Sequence, residues 1–144
     1  MKKRLTIIQM DVHVNDVEYN YTRVQELLSQ SLSEHPDIIV LPETWNTGFY
    51  PSKELINIAD RNGERTKSLL STFAKEHNVN IVGGSVAVAK NDVVFNTSYA
   101  YNREGTLVGE YSKMHGFSPA KEDQYFAGGT HTTHFELDGI PCST

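Results

Sequence analysis

Two ionisable side chains follow predicted strands and are the first candidates for chemistry. Glu43 comes directly after the apolar segment 37–42, which is typical of a buried strand. Because open α/β sheets bind ligands at the carboxyl ends of their strands, this position indicates a ligand site. Lys113 ends a later strand. Taken singly, each residue has a plain alternative, since Glu43 could be an exposed loop residue and Lys113 a solvated one.

The residues around these two add a pocket wall and a further carboxylate. Trp45, Phe49 and Tyr50 follow Glu43, and aromatic side chains of this kind line small-molecule pockets. Glu122 lies in the charged run 121–123, which by itself favours a solvated loop. These residues extend the candidate site without defining its chemistry.

Three other residues are of types that can act as a nucleophile or as metal ligands. Cys142 is the only cysteine, and the burial habits of free cysteine favour a small, buried and unreactive side chain. His131 and His134 lie three residues apart in a predicted extended segment, without acidic or cysteine partners at ligand spacing. We therefore predict no metal site and no cofactor.

Strand and helix patterns alternate in the first part of the chain, as in a parallel α/β sheet. Asn15 and Glu18 have the spacing of a capping box and are followed by apolar residues at three- and four-residue steps. The predicted elements are strand 5–10, a helix from this box to 35–36, strand 37–42, helix 64–77 and strand 79–85.

The second part of the chain predicts a meander. A turn at 90–92 separates strand 93–101 from the preceding strand, and a turn at 102–105 separates it from strand 106–111. An irregular segment covers 116–129, and strand 132–137 then reaches a hairpin turn at Asp138-Gly139. Residues 140–144 would only begin the return strand, so we expect a fold that is incomplete at its C-terminal side.

Composition limits the classes of protein that the chain can be. With 144 residues and 38% hydrophobic residues, it fits a single domain spanning 1–144. A formal charge of −5 without a basic stripe argues against a nucleic-acid partner. The apolar run 5–8 is too short for a signal peptide, and no stretch reaches the roughly 20 apolar residues that span a bilayer. With a single cysteine, the cytoplasm is the expected compartment.

Five segments together resemble the nitrilase, or carbon–nitrogen hydrolase, superfamily, and their order and spacing are more specific than any one of them. They are Gln9-Met10-Asp11, Ile39-Val40-Leu41-Pro42-Glu43, Gly83-Gly84-Ser85, Phe95-Asn96-Thr97 and Tyr111-Ser112-Lys113-Met114-His115. The resemblance implies an α/β fold of the nitrilase-like α-β-β-α sandwich type with mixed sheets. It also implies a homodimer or a larger homo-oligomer and a small-molecule amide substrate.

The resemblance implies a Glu-Lys-Cys triad. Glu43 corresponds to the general base and acid, Lys113 to the group that stabilises the tetrahedral intermediate, and Glu122 to a second glutamate that positions the lysine and the substrate. Cys142 follows the turn at Asp138-Gly139 too closely and would lie at the wrong end of its strand. The nucleophile is therefore expected beyond Thr144.

Several functions are compatible with these residues. The segment from Leu41 to Phe49 looks most like that of ω-amidase-type members, which hydrolyse the terminal amide of 2-oxo dicarboxylic acid monoamides. A nitrilase or a carbamoyl-amine hydrolase would use the same triad. An alternative from another class is an inactive fragment or a binding module on the same fold.

Overall fold

Strands and helices alternate along the chain, as the sequence pattern predicts. The computed structural model describes residues 2–144. The strands are β1 Leu5–Ile7, β2 Ile38–Val40, β3 Asp60–Arg61, β4 Asn80–Val82, β5 Val86–Lys90, β6 Val93–Tyr101, β7 Leu107–Ser112, β8 His134–Leu137 and β9 Ile140–Ser143. The helices are α1 Val17–Ser31, α2 Leu55–Ile58, α3 Glu64–His77 and α4 Glu122–Tyr125, and short 3-10 turns cover Leu32–Glu34 and Ser118–Ala120.

Seven strands form one mixed sheet, in the order β1-β2-β4-β6-β5-β3, with β7 also paired to β6. β1, β2 and β4 run parallel to one another, whereas β6 is antiparallel to β4, β5 and β7. The remaining two strands, β8 and β9, form a separate antiparallel hairpin. The predicted α/β class with mixed sheets is confirmed.

Helices α1 and α3 cover one face of the sheet and form the main core with it. Their apolar stripes pack onto the side chains that the central strands turn toward them. The fully buried members of this core include Val24, Leu28, Ile39, Leu70, Ala74 and Ile81. Burial of a side chain of this size contributes roughly 1.5–3 kcal/mol, so these two helices fix the sheet that carries the site. No helix among residues 2–144 is long and apolar enough to cross a membrane.

The β8–β9 hairpin lies against the opposite face of the sheet. Phe135 occupies the space above Gly109 in β7, where a Cβ atom would lie 2.7 Å from its ring. The turn residue Asp138 accepts hydrogen bonds from Lys3 Nζ and Arg103 Nε, both at 2.9 Å. The guanidinium of Arg103, followed by Lys3, lowers the pKa of Asp138 well below its usual range. Charge pairing therefore fixes the closed end of the hairpin to the sheet.

Several boundaries differ from the predictions. Asn15 has a left-handed backbone, so Asp16 caps α1 instead and accepts a hydrogen bond from Tyr19 N–H. The first strand ends at Ile7, not at residue 10. The predicted strand 79–85 ends already at Val82, because Gly84 adopts φ +60° and turns the chain between β4 and β5. The segment predicted as irregular contains the one-turn helix α4.

Candidate active site

A tight turn after β2 presents Glu43 at the carboxyl edge of the sheet. Ser85 N–H donates to Pro42 O at 3.0 Å, and Thr44 N–H donates to Ser85 Oγ at 3.0 Å. Thr44 itself has φ +46°, a left-handed conformation that is unusual for a β-branched residue. Strained backbone of this kind persists where surrounding contacts hold it, and it is common at functional sites.

The turn depends on close backbone contact between the ends of two neighbouring strands. A Cβ atom on Gly84 would lie 1.9 Å from Pro42 O and 2.6 Å from Leu41 O. Only glycine allows this approach with a positive φ. Gly84, in one of the five segments of the resemblance, therefore places the backbone that carries Glu43.

Lys113 reaches the same place from β7, 70 residues further along the chain. Its backbone N–H donates to Asn96 O at 2.8 Å, which extends the pairing of β7 with β6 by one residue. Its ammonium nitrogen lies 2.9 Å from Glu43 Oε1 and 2.9 Å from Glu122 Oε2. The structure thus brings together all three site residues chosen from the sequence.

Glu122 is buried, with 1% of its surface exposed, so the solvated-loop alternative is wrong for this residue. Its carboxylate accepts a hydrogen bond from Phe117 N–H at 2.6 Å in addition to its contact with Lys113. A buried charge is tolerated when it is paired and hydrogen-bonded, and both conditions are met here. Glu122 therefore holds the ammonium of Lys113 from the protein interior.

One cation lies between two carboxylates, and this sets its protonation. Burial alone would lower the pKa of Lys113, but hydrogen bonds and charge from Glu43 and Glu122 outweigh it and raise that pKa above its ordinary value. Lys113 thus stays an ammonium at neutral pH and above. A fixed positive charge at this point is suited to stabilising a developing oxyanion.

Asn96 in β6 is a site residue that the sequence reasoning missed. Its Nδ2 donates to Glu43 Oε1 at 3.0 Å, and its side chain is buried. The available signal was its place in the segment Phe95-Asn96-Thr97, where a polar amide lies in the middle of a strand. Such a residue is costly to bury without a partner, so it indicates a specific contact.

The aromatic residues after Glu43 divide into two groups. Trp45 is fully buried in the core, where its Nε1 donates to Gly83 O at 2.9 Å, so it does not wall the site. Phe49 and Tyr50 are exposed and contact each other edge to face, with ring centroids 5.6 Å apart. The ring centroid of Phe49 also lies 6.2 Å from that of Phe117, whose backbone N–H donates to the carboxylate of Glu122. This pair and Phe117 form an apolar rim beside the carboxylates.

A cavity of about 180 Å³ adjoins the charged residues. Its walls include Asn96, Lys113 and Glu122 together with Gly116 and Phe126. A water molecule takes up about 30 Å³ of liquid, so the space suits a small ligand group. A larger cavity, about 560 Å³, lies between α1 and α3 on the outer face and has none of these groups in its walls.

Cys142 lies in the hairpin and not among the charged residues. It is partly buried rather than fully buried, and its Sγ donates to Ile140 O at 3.5 Å. It lies opposite Phe135 in the hairpin, and Phe135 packs on Gly109 of β7. Gly109 comes four residues before Lys113 in the chain. At about 3.3 Å per residue, this level of the strand is roughly 13 Å from Lys113. Among residues 2–144, no three His, Cys, Asp or Glu side chains gather to hold a metal ion.

These features are those of a hydrolase family, and comparison with known proteins identifies it. Residues 4–140 match the sequence pattern of the carbon-nitrogen hydrolase family, to which the chain belongs. A CN-hydrolase superfamily protein of Xanthomonas campestris has the same fold, with a TM-score of 0.85 and 28% identity. The match covers 98% of this chain and 51% of that protein.

Relatives with named activities include amidases, together with a nitrilase of Pyrococcus abyssi that is 28% identical over 117 residues. The chain is 38% identical to a 2-oxoglutaramate amidase of Bacillus subtilis over 143 residues, which is 99% of this chain and 54% of that protein. It is 31% identical to an omega-amidase of Danio rerio over 121 residues, covering 81% of this chain and 41% of that protein. The chain thus spans about half the length of the curated relatives it matches.

Proposed function

We propose that the chain is the N-terminal part of a single hydrolase domain that releases ammonia from a small amide. The proposed substrate is the terminal amide of a 2-oxo dicarboxylic acid monoamide. Glu43, Lys113 and Glu122 would act with a cysteine located beyond Thr144. The observation that carries the proposal is the ammonium of Lys113, held 2.9 Å from each of two carboxylates at the carboxyl edge of the sheet.

Glu43 is the proton carrier of the proposed reaction. It takes the proton of the cysteine thiol, and the thiolate attacks the amide carbon to form a tetrahedral intermediate. The same proton then passes to the departing nitrogen, the carbon–nitrogen bond breaks, and ammonia leaves a thioester. Glu43 next takes a proton from water, hydroxide adds to the thioester carbon, and the carboxylic acid and the thiol are released.

Lys113 supplies positive charge where the oxyanion develops. In a site from which water is excluded, one preorganised donor of this kind is worth about 3–4 kcal/mol of transition-state stabilisation. Glu122 holds the ammonium in place from the protein interior, so that the lysine side chain is already ordered before the reaction begins. Phe49 and Phe117, at the rim, are placed to exclude water from the acyl group of the substrate.

The direction of the hairpin supports a nucleophile beyond Thr144. Thr133 and Thr144 exchange both backbone hydrogen bonds, so β9 returns along β8 toward the active edge. Gly129 N–H donates to Lys113 O at 3.0 Å and marks the level of the site on the incoming segment. A strand that continued along this path would come level with Lys113 about four residues after Thr144.

The choice of substrate rests on the relatives. The 38% identity to a 2-oxoglutaramate amidase favours a 2-oxo acid amide over a nitrile or a carbamoyl amine, which would use the same catalytic groups. A cytoplasmic location and a homodimer or larger homo-oligomer remain predictions from the sequence. The mass of the native assembly in solution tests the second of these.

The proposal is tested by intact mass and ammonia release on the native protein. We expect a mass near twice the 16.2 kDa of this chain and ammonia from 2-oxoglutaramate. Glu43→Gln and Lys113→Ala should abolish release, whereas the exposed controls Glu104→Gln and Lys53→Ala should not. A native mass of 16.2 kDa with no ammonia from any amide would replace the enzyme by a fragment or binding module.

A further inference from the structure

We propose that Asn96 is a positioning residue that sets both the orientation of Glu43 and the place of Lys113. The inference rests on the proposed function, because it assigns Asn96 a part in the same reaction. Its basis is that one buried residue of β6 contacts both partners of the central ion pair.

Two hydrogen bonds join Asn96 to the site. Its Nδ2 donates to Glu43 Oε1 at 3.0 Å, and its backbone oxygen accepts from Lys113 N–H at 2.8 Å. The same Glu43 oxygen also accepts from Lys113 Nζ at 2.9 Å. The three residues therefore close a small ring of contacts in which Asn96 is the member that belongs to the middle of the sheet.

The orientation of the amide group is fixed by Glu43. Asn96 is 3% exposed, and its Oδ1 is buried without a hydrogen-bond partner among residues 2–144. The reversed amide would point Oδ1 at the carboxylate, where two acceptors repel each other. The carboxylate thus receives a neutral donor at 3.0 Å, which orients it without adding a second cation to the site.

An ionised, immobile Glu43 is what proton transfer from a thiol requires. Lys113 also contacts Oε1, but its ammonium is shared with Glu122 and must serve the developing oxyanion of the substrate as well. Asn96 has a short side chain on a strand that pairs with three others, so it keeps its place. We therefore expect its loss to affect the chemical step more than substrate binding.

Asn80 in β4 is a matched control for burial. It is a fully buried asparagine of the same sheet, its Nδ2 donates to Asp37 O at 2.9 Å, and its Oδ1 also lacks a partner. It has no hydrogen bond to Glu43, Lys113 or Glu122 within residues 2–144. Changes at Asn80 report what a buried amide contributes to folding alone.

Steady-state kinetics of the native protein test the proposal. Asn96→Leu and Asn96→Asp should lower kcat by about 10- to 100-fold while KM changes much less. The loss of kcat should be larger for Asn96→Asp, which places a second carboxylate against Glu43 where the amide donor was. Asn80→Leu should lower the melting temperature and leave kcat and KM unchanged. Asn96 variants with the wild-type kcat, or with kcat and KM changed in equal measure, would overturn the proposal.

A second measurement keeps the inference separate from the amidase activity. The side-chain amide of Asn96 is observed by 1H–15N NMR in the native protein and in Glu43→Gln. We expect its proton shift to change in this variant, and that of Asn80 to stay constant. If wild type releases no ammonia from any amide, the proposed function fails. If the Asn96 signal is unaffected by Glu43→Gln, the positioning role fails regardless of activity.

Discussion

The contact of Lys113 with Glu122 leads to an asymmetric prediction about stability. In Glu122→Gln, Lys113 keeps its contact with Glu43 Oε1 at 2.9 Å, and its side chain remains 29% exposed. We therefore expect the free energy of unfolding to fall by about 1–3 kcal/mol. In Lys113→Met, Glu122 stays buried with Phe117 N–H as its remaining described donor. Removing one partner of a buried pair costs about 3–5 kcal/mol. The lysine variant should therefore be the less stable of the two.

The double variant gives the coupling between these residues. With Glu122→Gln and Lys113→Met combined, no charge is left buried without its partner, so the loss should be smaller than the sum of the single losses by about 2 kcal/mol. Urea denaturation followed by the fluorescence of the buried Trp45 measures each cost. With a slope of about 2 kcal/mol/M, a loss of about 3 kcal/mol moves the midpoint by about 1.5 M.

The control is Asp123→Asn, which changes an exposed carboxylate next to Glu122 and should leave the midpoint unchanged. The reasoning is refuted if the loss in the double variant equals the sum of the two single losses within about 0.5 kcal/mol, because the residues would then be energetically independent. It is also refuted if Glu122→Gln costs more than Lys113→Met. Either result would mean that the pair does not hold the ammonium from the interior.

Two further predictions concern the backbone and the hairpin. Gly84→Ala should cost more than about 3 kcal/mol in urea denaturation, because its Cβ meets Pro42 O at 1.9 Å. Gly139→Ala, also at positive φ but with no atom within 4 Å, should cost about 1–2 kcal/mol, and equal losses would contradict the clash. Asp138→Asn should lower the melting temperature at pH 7. The pKa of Asp138 is lowered in the folded state, so its contribution to stability is complete above the ordinary pKa of 3.8. This contribution is lost as the pH falls through the folded pKa, and the difference in melting temperature should therefore close in acid. A gap that stays constant down to pH 2 would contradict this.

Much of the fold was predictable because burial leaves a periodic pattern. The continuous apolar run of β2 and the helical spacing of α3 were assigned correctly, and so was the hairpin at Asp138-Gly139. The short elements were missed. Helix α2 and strand β3 are four and two residues long, so neither spans enough residues to show a period.

The site was predictable only in part. Glu43 was suggested by its position after a buried strand, but no local pattern links it to Lys113, which is 70 residues away. That link came from the resemblance, and the catalytic roles remain a proposal. The charged neighbours of Glu122 by themselves favour a solvated loop, and only the resemblance indicated a site residue there, which the structure shows buried and bonded to Phe117 N–H. Asn96 was missed because its function depends on a contact across strands.

Strand β6 is paired with β4, β5 and β7, and this connectivity has a consequence for how the molecule opens. Amide hydrogens exchange with solvent when a region unfolds locally, and strands bonded on both sides exchange last. The β6 amides between Phe95 and Tyr99 should therefore be among the slowest in the chain. Most of these pairings join residues close in sequence, so this strand and its neighbours are also suited to forming early in folding. The strand that carries Asn96 would then be in place before the distant Glu43 reaches it.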